Sequence, residues 1–254
     1  VNASAGANNA VNAIMDYSGN NTAFNALAAQ IQSLDALELK RAAERLRPEN
    51  HDGAMRLVLS NVDQIFGVVE SHLFENQVDG VGKALIESPD GKVYNGAGIW
   101  AQGFGGGGTQ NSRQNTDGYA LKSSGFAIGA DRLLGANKDL RFGVLAAYSR
   151  ANVDNLGFTD NNRVDVNTYT AGLYGAQSFG DWYLNGASAV SLNRYNSKRV
   201  ALEQVADGAH DGWQYSAKVD AGWPIQLTDS FTLTPIASLS YNHISESGYT
   251  ESGT

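Results

Sequence analysis

The sequence predicts an all-β transmembrane antiparallel barrel preceded by an α-helical segment. Three observations carry this expectation. Apolar residues recur with a period of 3.6 up to about residue 74 and with a period of 2 from about residue 98. Most period-2 segments reach or exceed the roughly 9–11 residues with which a tilted strand crosses hydrocarbon, whereas ordinary strands average about 5–6. The links between them alternate between short and long, as in barrels with tight turns at one membrane face and loops at the other.

Residues 1–22 are small and polar, and no regular structure is predicted for them. From about Phe24 to Leu46, Phe24, Leu27, Ile31, Leu34, Leu37 and Leu46 recur at helical spacing, and Arg47-Pro48 ends the pattern. A second helix is predicted over 54–74. Met55, Val58, Leu59, Val62, Ile65, Phe66, Val69 and Leu73 lie on its apolar side, and Arg56, Asn61, Asp63, Gln64 and Glu70 on the other. Residues 76–96, with Gly80, Gly82, Pro89 and Asp90-Gly91, read as a connector with a short hairpin.

Seven strands are expected from Gly98 onward: Ile99–Gly105, Ser124–Leu133, Leu140–Val153, Val164–Ser178, Asp181–Tyr195, Trp213–Leu227 and Phe231–His243. In the sixth, Tyr215, Ala217, Val219, Ala221, Trp223 and Ile225 oppose Gln214, Ser216, Lys218, Asp220 and Gly222. The third sets Phe142, Val144, Ala146 and Tyr148 against Arg141, Gly143, Ala147 and Ser149, with Leu145 as an exception. Tight turns are expected at Gly135-Ala136-Asn137, Phe179-Gly180 and Thr228-Asp229-Ser230, and long loops at 106–123, 154–163 and 196–212. A charge on the lipid face costs about 2–4 kcal/mol at mid-depth. Gln214, Ser216, Lys218, Asp220, Arg141 and Asn185 are therefore the candidate lining of a wet lumen. Aromatics gather at both ends of the strands, and Trp182, Trp223, Phe142, Phe231, Tyr148 and Tyr241 are the candidate membrane-interface residues.

Composition agrees with this picture. Only 17% of residues are charged, against about a quarter in ordinary soluble domains. Mean hydropathy is −0.30, and no apolar run approaches the roughly 20 residues of a spanning helix. The net charge of −8 weighs against nucleic acid as a partner. Without cysteine there is neither a disulfide nor a thiolate metal site. Val1-Asn2-Ala3-Ser4 carries no initiator Met and no basic-then-apolar leader, so an export signal is expected upstream.

No catalytic, metal or cofactor site is expected. Gly103–Gly108 fits G-x-G-x-x-G, but the pattern binds phosphate only where a helix follows, and here Thr109-Gln110-Asn111-Ser112 follows. The four histidines have no metal-ligand spacing. Asp207, His210 and Asp211 share one predicted outer loop, read as solvated.

Several stretches together resemble the autotransporter β-domains, the type V secretion translocators. They are Leu46-Arg47-Pro48-Glu49 followed by 54–73, then Trp100-Ala101-Gln102-Gly103-Phe104-Gly105, Gly125–Arg132, Leu140-Arg141-Phe142-Gly143-Val144 with Ala147-Tyr148-Ser149, and Leu233–Leu239. The resemblance covers roughly residues 25–254. It implies a twelve-stranded barrel in the bacterial outer membrane with an α-helix in its pore. The helix would be the 54–74 segment, with Met55, Leu59, Val62, Phe66 and Val69 on it, entering from the cell surface. Residues 1–22 would end a covalently linked passenger, 23–96 would form the helical linker, and 97–254 the N-terminal part of the barrel. Implied partners are outer-membrane lipid, the passenger and the barrel-assembly machinery.

Two departures from the family pattern stand out. Seven strands fall short of twelve, so about five more strands or a second chain are expected to close the barrel. Asn61 lies between Ser60 and Val62, so the Asn-Asn pair at which some members cut themselves is not matched. Two alternatives remain: a general outer-membrane porin or adhesin barrel, and a soluble β-rich binding domain. Porins begin with a strand, whereas this chain puts a pair of predicted helices before its first.

Overall fold

The computed structural model describes residues 3–46, 52–78, 97–113, 117–134, 140–201, 204–228, 231–248 and 252–253. Four helices come first: α1 (Ala5–Met15), α2 (Thr22–Ser33), α3 (Ala36–Leu46) and α4 (Asp52–Val78). The expectation of no regular structure before residue 22 is corrected. Ser4 caps α1, its hydroxyl accepting from the Ala7 N–H. Ala7, Val11 and Ile14 form an i, i+4, i+7 stripe that packs on Ile31 and Ala43. Glu44 of α3 accepts from both the Ser4 amide, at 2.6 Å, and its hydroxyl, at 2.8 Å. The single helix expected over 24–46 is two. Asp35 starts α3 with a reciprocal cap: its carboxylate accepts from the Leu37 and Glu38 amides, while Glu38 accepts from the Asp35 amide. The expected stop at Pro48 and the connector from residue 79 to 96 lie outside the described residues.

The sheet is an antiparallel meander of β1 (Ala97–Gln110), β2 (Tyr119–Leu134), β3 (Leu140–Asn155), β4 (Arg163–Phe179), β5 (Trp182–Ala201) and β6 (Gln204–Gly222). After the small hairpin of β7 (Ile225–Thr228) and β8 (Phe231–Leu233), β9 (Ile236–Glu246) and β10 (Ser252–Gly253) pair with β6. At the tight end Gly180 turns β4 into β5 at φ 71°. The turns expected around 135–137 and 229–230 lie outside the described residues.

At the loop end the strands are longer than expected. β1 runs through Gly105–Gly108 to Gln110, paired residue by residue with β2 as far as Tyr119. β5 and β6 stay paired to Ala201↔Gln204, so the long loop expected at 196–212 is mostly ladder, and the short–long alternation fails at that link. Backbone pairing continues there through residues whose side chains do not alternate in hydrophobicity. The sixth and seventh expected strands are each broken. Pro224 and Pro235 carry no N–H for a ladder, so the β6–β9 pairing ends at Gly222↔Ile236, one bond from Trp223 N–H to Pro235 O follows, and β7–β8 form a separate sheet.

Burial alternates along the central strands. In β3, Arg141, Gly143, Leu145, Ala147, Ser149, Ala151 and Val153 are buried, while Phe142, Val144 and Arg150 are exposed. Helix α4 lies on the buried side. It contacts β1, β2, β3, β4 and β5. Strands about 4.8 Å apart in a flat sheet could not all reach a helix about 10 Å wide, so the sheet curves around it. Aromatic side chains make room by lying on glycines of the neighbouring strand. A Cβ on Gly129 would come within 2.5 Å of the Trp100 ring, and one on Gly143 within 2.4 Å of the Tyr174 ring. Both are cross-strand pairs.

The helix-lined face and its candidate residues

The contact between α4 and the wall changes along the helix. Near its N-terminus, at the loop end of the sheet, Ala54, Leu57 and Val58 pack on Ala151, Val153, Val164, Val166 and Tyr195. Further along, the Gln64 amide donates to Ser123 at 3.1 Å. Towards the tight end, Ile65, Val68, Val69 and Leu73 pack on Ala127, Leu145, Ala147, Tyr174 and Ala176. Leu145, the exception to the sequence alternation, is apolar because it faces this helix. The strip of the inner face beneath α4 is thus largely apolar.

Beside that strip the same face is polar. Thr168 donates to Asn193 at 2.7 Å, Thr170 and Ser191 share a hydrogen bond at 2.8 Å, and Asn193 donates to Gln214 at 3.3 Å. Ser216 donates to Asn242 at 2.6 Å. These residues join β4, β5, β6 and β9 through cross-strand side chains, which satisfies polar groups that burial would otherwise penalise.

Two ionic clusters reach the helix. Asp131 of β2 is fully buried and accepts from Arg141 of β3 and, at 2.7 Å, from the Tyr174 hydroxyl of β4. His72 Nε2 of α4 lies 2.6 Å from the same carboxylate, and the Trp100 indole donates to Tyr174 at 2.6 Å. On the other side Glu70 pairs with Lys218 of β6, whose Nζ is 3.7 Å from Asp220.

All six candidate lining residues fall on the helix side. Gln214, Ser216, Asp220, Arg141 and Asn185 are buried, and Lys218 is partly so. Of the candidate interface aromatics, Trp182, Trp223, Phe142 and Tyr241 are exposed and Tyr148 is half-buried, all on the opposite face; Phe231 is exposed on the β7–β8 hairpin. On α4, Val62, Phe66 and Val69 are buried and Leu59 is half-buried, but Met55 is 50% exposed. Asn61, expected on the polar side of the helix, is fully buried. His210 is not in a loop. It lies on β6, stacked at 4.5 Å on Tyr195 and 3.5 Å from Glu246. Among the described residues no group of three or more His, Cys, Asp or Glu could hold a metal ion.

Sequence reasoning missed the roles of His72, Asp131, Tyr174 and Glu70. Parity held the signal: Asp131 follows Ala127 and Gly129 on the buried side of β2, and Arg141 begins the buried side of β3.

The outward face is a continuous apolar surface. Phe126, Ile128, Val144, Leu173, Tyr169, Leu184, Tyr215, Val219 and Leu239 are all exposed on it. No helix among the described residues is long and apolar enough to cross a membrane. A curved antiparallel sheet with an apolar outer skin, and a helix against its mixed inner face, defines the class: a β-barrel protein of an outer membrane.

The family follows from comparison: the profile described as Autotransporter beta-domain matches residues 99–254, and the chain belongs to that family. It is similar to Outer membrane protein B of Rickettsia japonica, 29% identical over 182 residues, which is 67% of this chain and 11% of that protein. Outer membrane protein A of Rickettsia rickettsii is 28% identical over 213 residues, 78% of this chain and 9% of that protein. The chain thus spans about a tenth of the length of the relatives it matches. The translocator domain of the autotransporter NalP from Neisseria meningitidis shares the fold, with a TM-score of 0.54 at 12% identity over 75% of this chain and 63% of that one. The chain is thus an autotransporter β-domain with the fold of an outer-membrane barrel, and the porin and soluble alternatives fall away. Translocator domains of this kind are in general not enzymes.

Proposed function

We propose that this chain anchors a covalently linked N-terminal passenger in the outer membrane and helps deliver it to the cell surface, with α4 left in the bore as a seal and no chemical step of its own. The observation that carries this reading is the position of α4, 27 residues long, against the inner face of a sheet whose outer face is apolar. Such a helix extends about 40 Å, more than the roughly 25 Å apolar band of a transmembrane barrel. Its N-terminus lies at the loop end and its C-terminus toward the tight turns. With tight turns on the periplasmic side, the chain before α4 emerges at the cell surface. Residues 1–46 then belong to the junction with the passenger and 97–254 to the barrel wall. Lipid contacts the outward face, and the barrel-assembly machinery inserts the sheet.

The test uses the full-length protein of which this chain is part. It should require detergent and migrate differently on a gel before and after heating. Deleting 54–73 should open a conducting pore in planar bilayers. Conductance equal to that of the intact protein would remove α4 as the seal.

A further inference from the structure

Among the described residues, α4 meets charged wall side chains at one level of its length. Glu70 meets Lys218 of β6, which also neighbours Asp220 at 3.7 Å. Two residues later His72 lies 2.6 Å from Asp131 of β2, beside Arg141 of β3. Residues i and i+2 of a helix stand about 200° apart around the axis and about 3 Å apart along it. Glu70 and His72 therefore reach β6 and β2, on opposite flanks of the curved sheet, at nearly the same depth.

Apart from Gln64, which donates to Ser123 at 3.1 Å, the rest of the helix meets the wall mainly through apolar contact. Ala54, Leu57, Val58, Ile65, Val68, Val69 and Leu73 meet apolar wall residues, and apolar contact is non-directional. The wall also carries its own charge balance, Asp131 with Arg141 and Asp220 with Lys218. A segment sliding past meets no large net charge. Only one that brings an acceptor to Lys218 and, two residues on, a donor to Asp131 completes both clusters together. Trp100 and Tyr174 close the His72 side: their rings lie 5.2 Å and 6.2 Å from the imidazole, and Tyr174 donates to the same carboxylate.

We infer that Glu70 and His72 form a two-sided clamp that stops the exported chain at a fixed depth and rotation. They are positioning residues, acting through the placement of α4. The inference rests on the reading that α4 occupies the bore, and the experiment separates the two.

The full-length protein is reconstituted in planar bilayers, with heat-modifiable migration as the check on assembly. E70A/H72A should raise the open fraction about tenfold, a coupling of the usual size between two contacts. E70K should do the same, and E70K/K218E should return it to the wild-type value, a rescue that general loosening of the helix would not give. H72Q, which keeps a donor for Asp131, should stay near wild type. Depth is read independently from a cysteine pair away from the clamp. These 254 residues contain no cysteine, and Q64C/S123C replaces two side chains that are hydrogen-bonded at 3.1 Å. Cysteine is shorter than glutamine and a disulfide demands close Cα atoms, so the pair is joined with a short bifunctional thiol reagent, and adding E70A/H72A should cut the yield of that cross-link. An unchanged cross-link and an unchanged open fraction in E70A/H72A would overturn the clamp. If the intact protein conducts like the 54–73 deletion while cross-linking still depends on Glu70 and His72, the seal falls and the clamp stands.

Discussion

Gly143 shows how one missing side chain organises several strands. The Tyr174 ring occupies the space where a Cβ would stand, and from there its hydroxyl reaches Asp131. The carboxylate is then held from β3, β4 and α4 at once. A valine at 143 would push the ring off the glycine and break its bond to Asp131. Overpacking of this kind costs about 1–3 kcal/mol. G143V should lower the temperature at which the folded gel band converts to the unfolded one. G186A should leave that temperature unchanged, because a Cβ there meets only the Lys218 carbonyl at 3.9 Å. An equal drop in both variants would show that the sheet tolerates no substitution at glycine, rather than that this glycine seats a ring.

Helices α1–α3 form a small unit with its own apolar core, seated on the link between β3 and β4. Arg45 donates to the Phe158 carbonyl at 2.9 Å and pairs with Asp160 at 2.6 Å, and Lys40 stands 4.9 Å over the Phe158 ring. The link is itself braced, since Asp117 accepts from the Thr159 amide at 2.8 Å. Asp160 is half exposed, so solvent screens the pair, and its loss costs about 1 kcal/mol or less. R45A should speed amide hydrogen exchange over 36–46 several-fold while leaving β3 and β4 unchanged. Uniform exchange in wild type and R45A would mean the core of α1–α3, not this contact, holds the unit in place. Little of this was legible in advance. Ala7, Val11 and Ile14 are spread thinly among Ala and Asn, and the stripe has meaning only beside Ile31 and Ala43. The break at Asp35 was written as Asp-x-x-Glu but lay inside an unbroken apolar pattern. α4 and the barrel strands were legible because their apolar residues repeat over many turns and many pairs. The faces of β3 and β6 followed from period 2 alone. The ion clusters did not, because each joins residues from three elements whose register a single sequence leaves open.

Across the whole molecule, the outward face sorts by height. On β4 the aromatic limits are Tyr169 and Phe179, paired with Leu192 and Trp182 of β5, and next along they are Trp213 of β6, paired with Leu192, and Trp223, the residue after β6. Each span is ten residues, about 33 Å along a strand and about 25 Å along the membrane normal at a tilt near 40°. That is the height of the apolar band of an outer-membrane barrel. Beyond it the same face turns charged. Arg150, Asp165, Arg163, Arg194 and Asp211 are exposed or half-exposed, with Arg163 paired to Asp165 at 2.9 Å and the Arg194 guanidinium 5.6 Å over Tyr169. β5 continues nine residues past Leu192 to Ala201, about 20 Å further along the normal. The sheet is therefore expected to stand above the bilayer as a collar, with α1–α3 on its rim. A nitroxide attached at residue 173 in proteoliposomes should be relaxed by oxygen, which concentrates in hydrocarbon, and shielded from a water-soluble nickel chelate. At residue 196 the order should reverse. If both labels respond alike to the two relaxers, the step from apolar to charged residues does not mark the membrane surface. The bilayer then takes in the collar, or excludes the apolar band that defines the class.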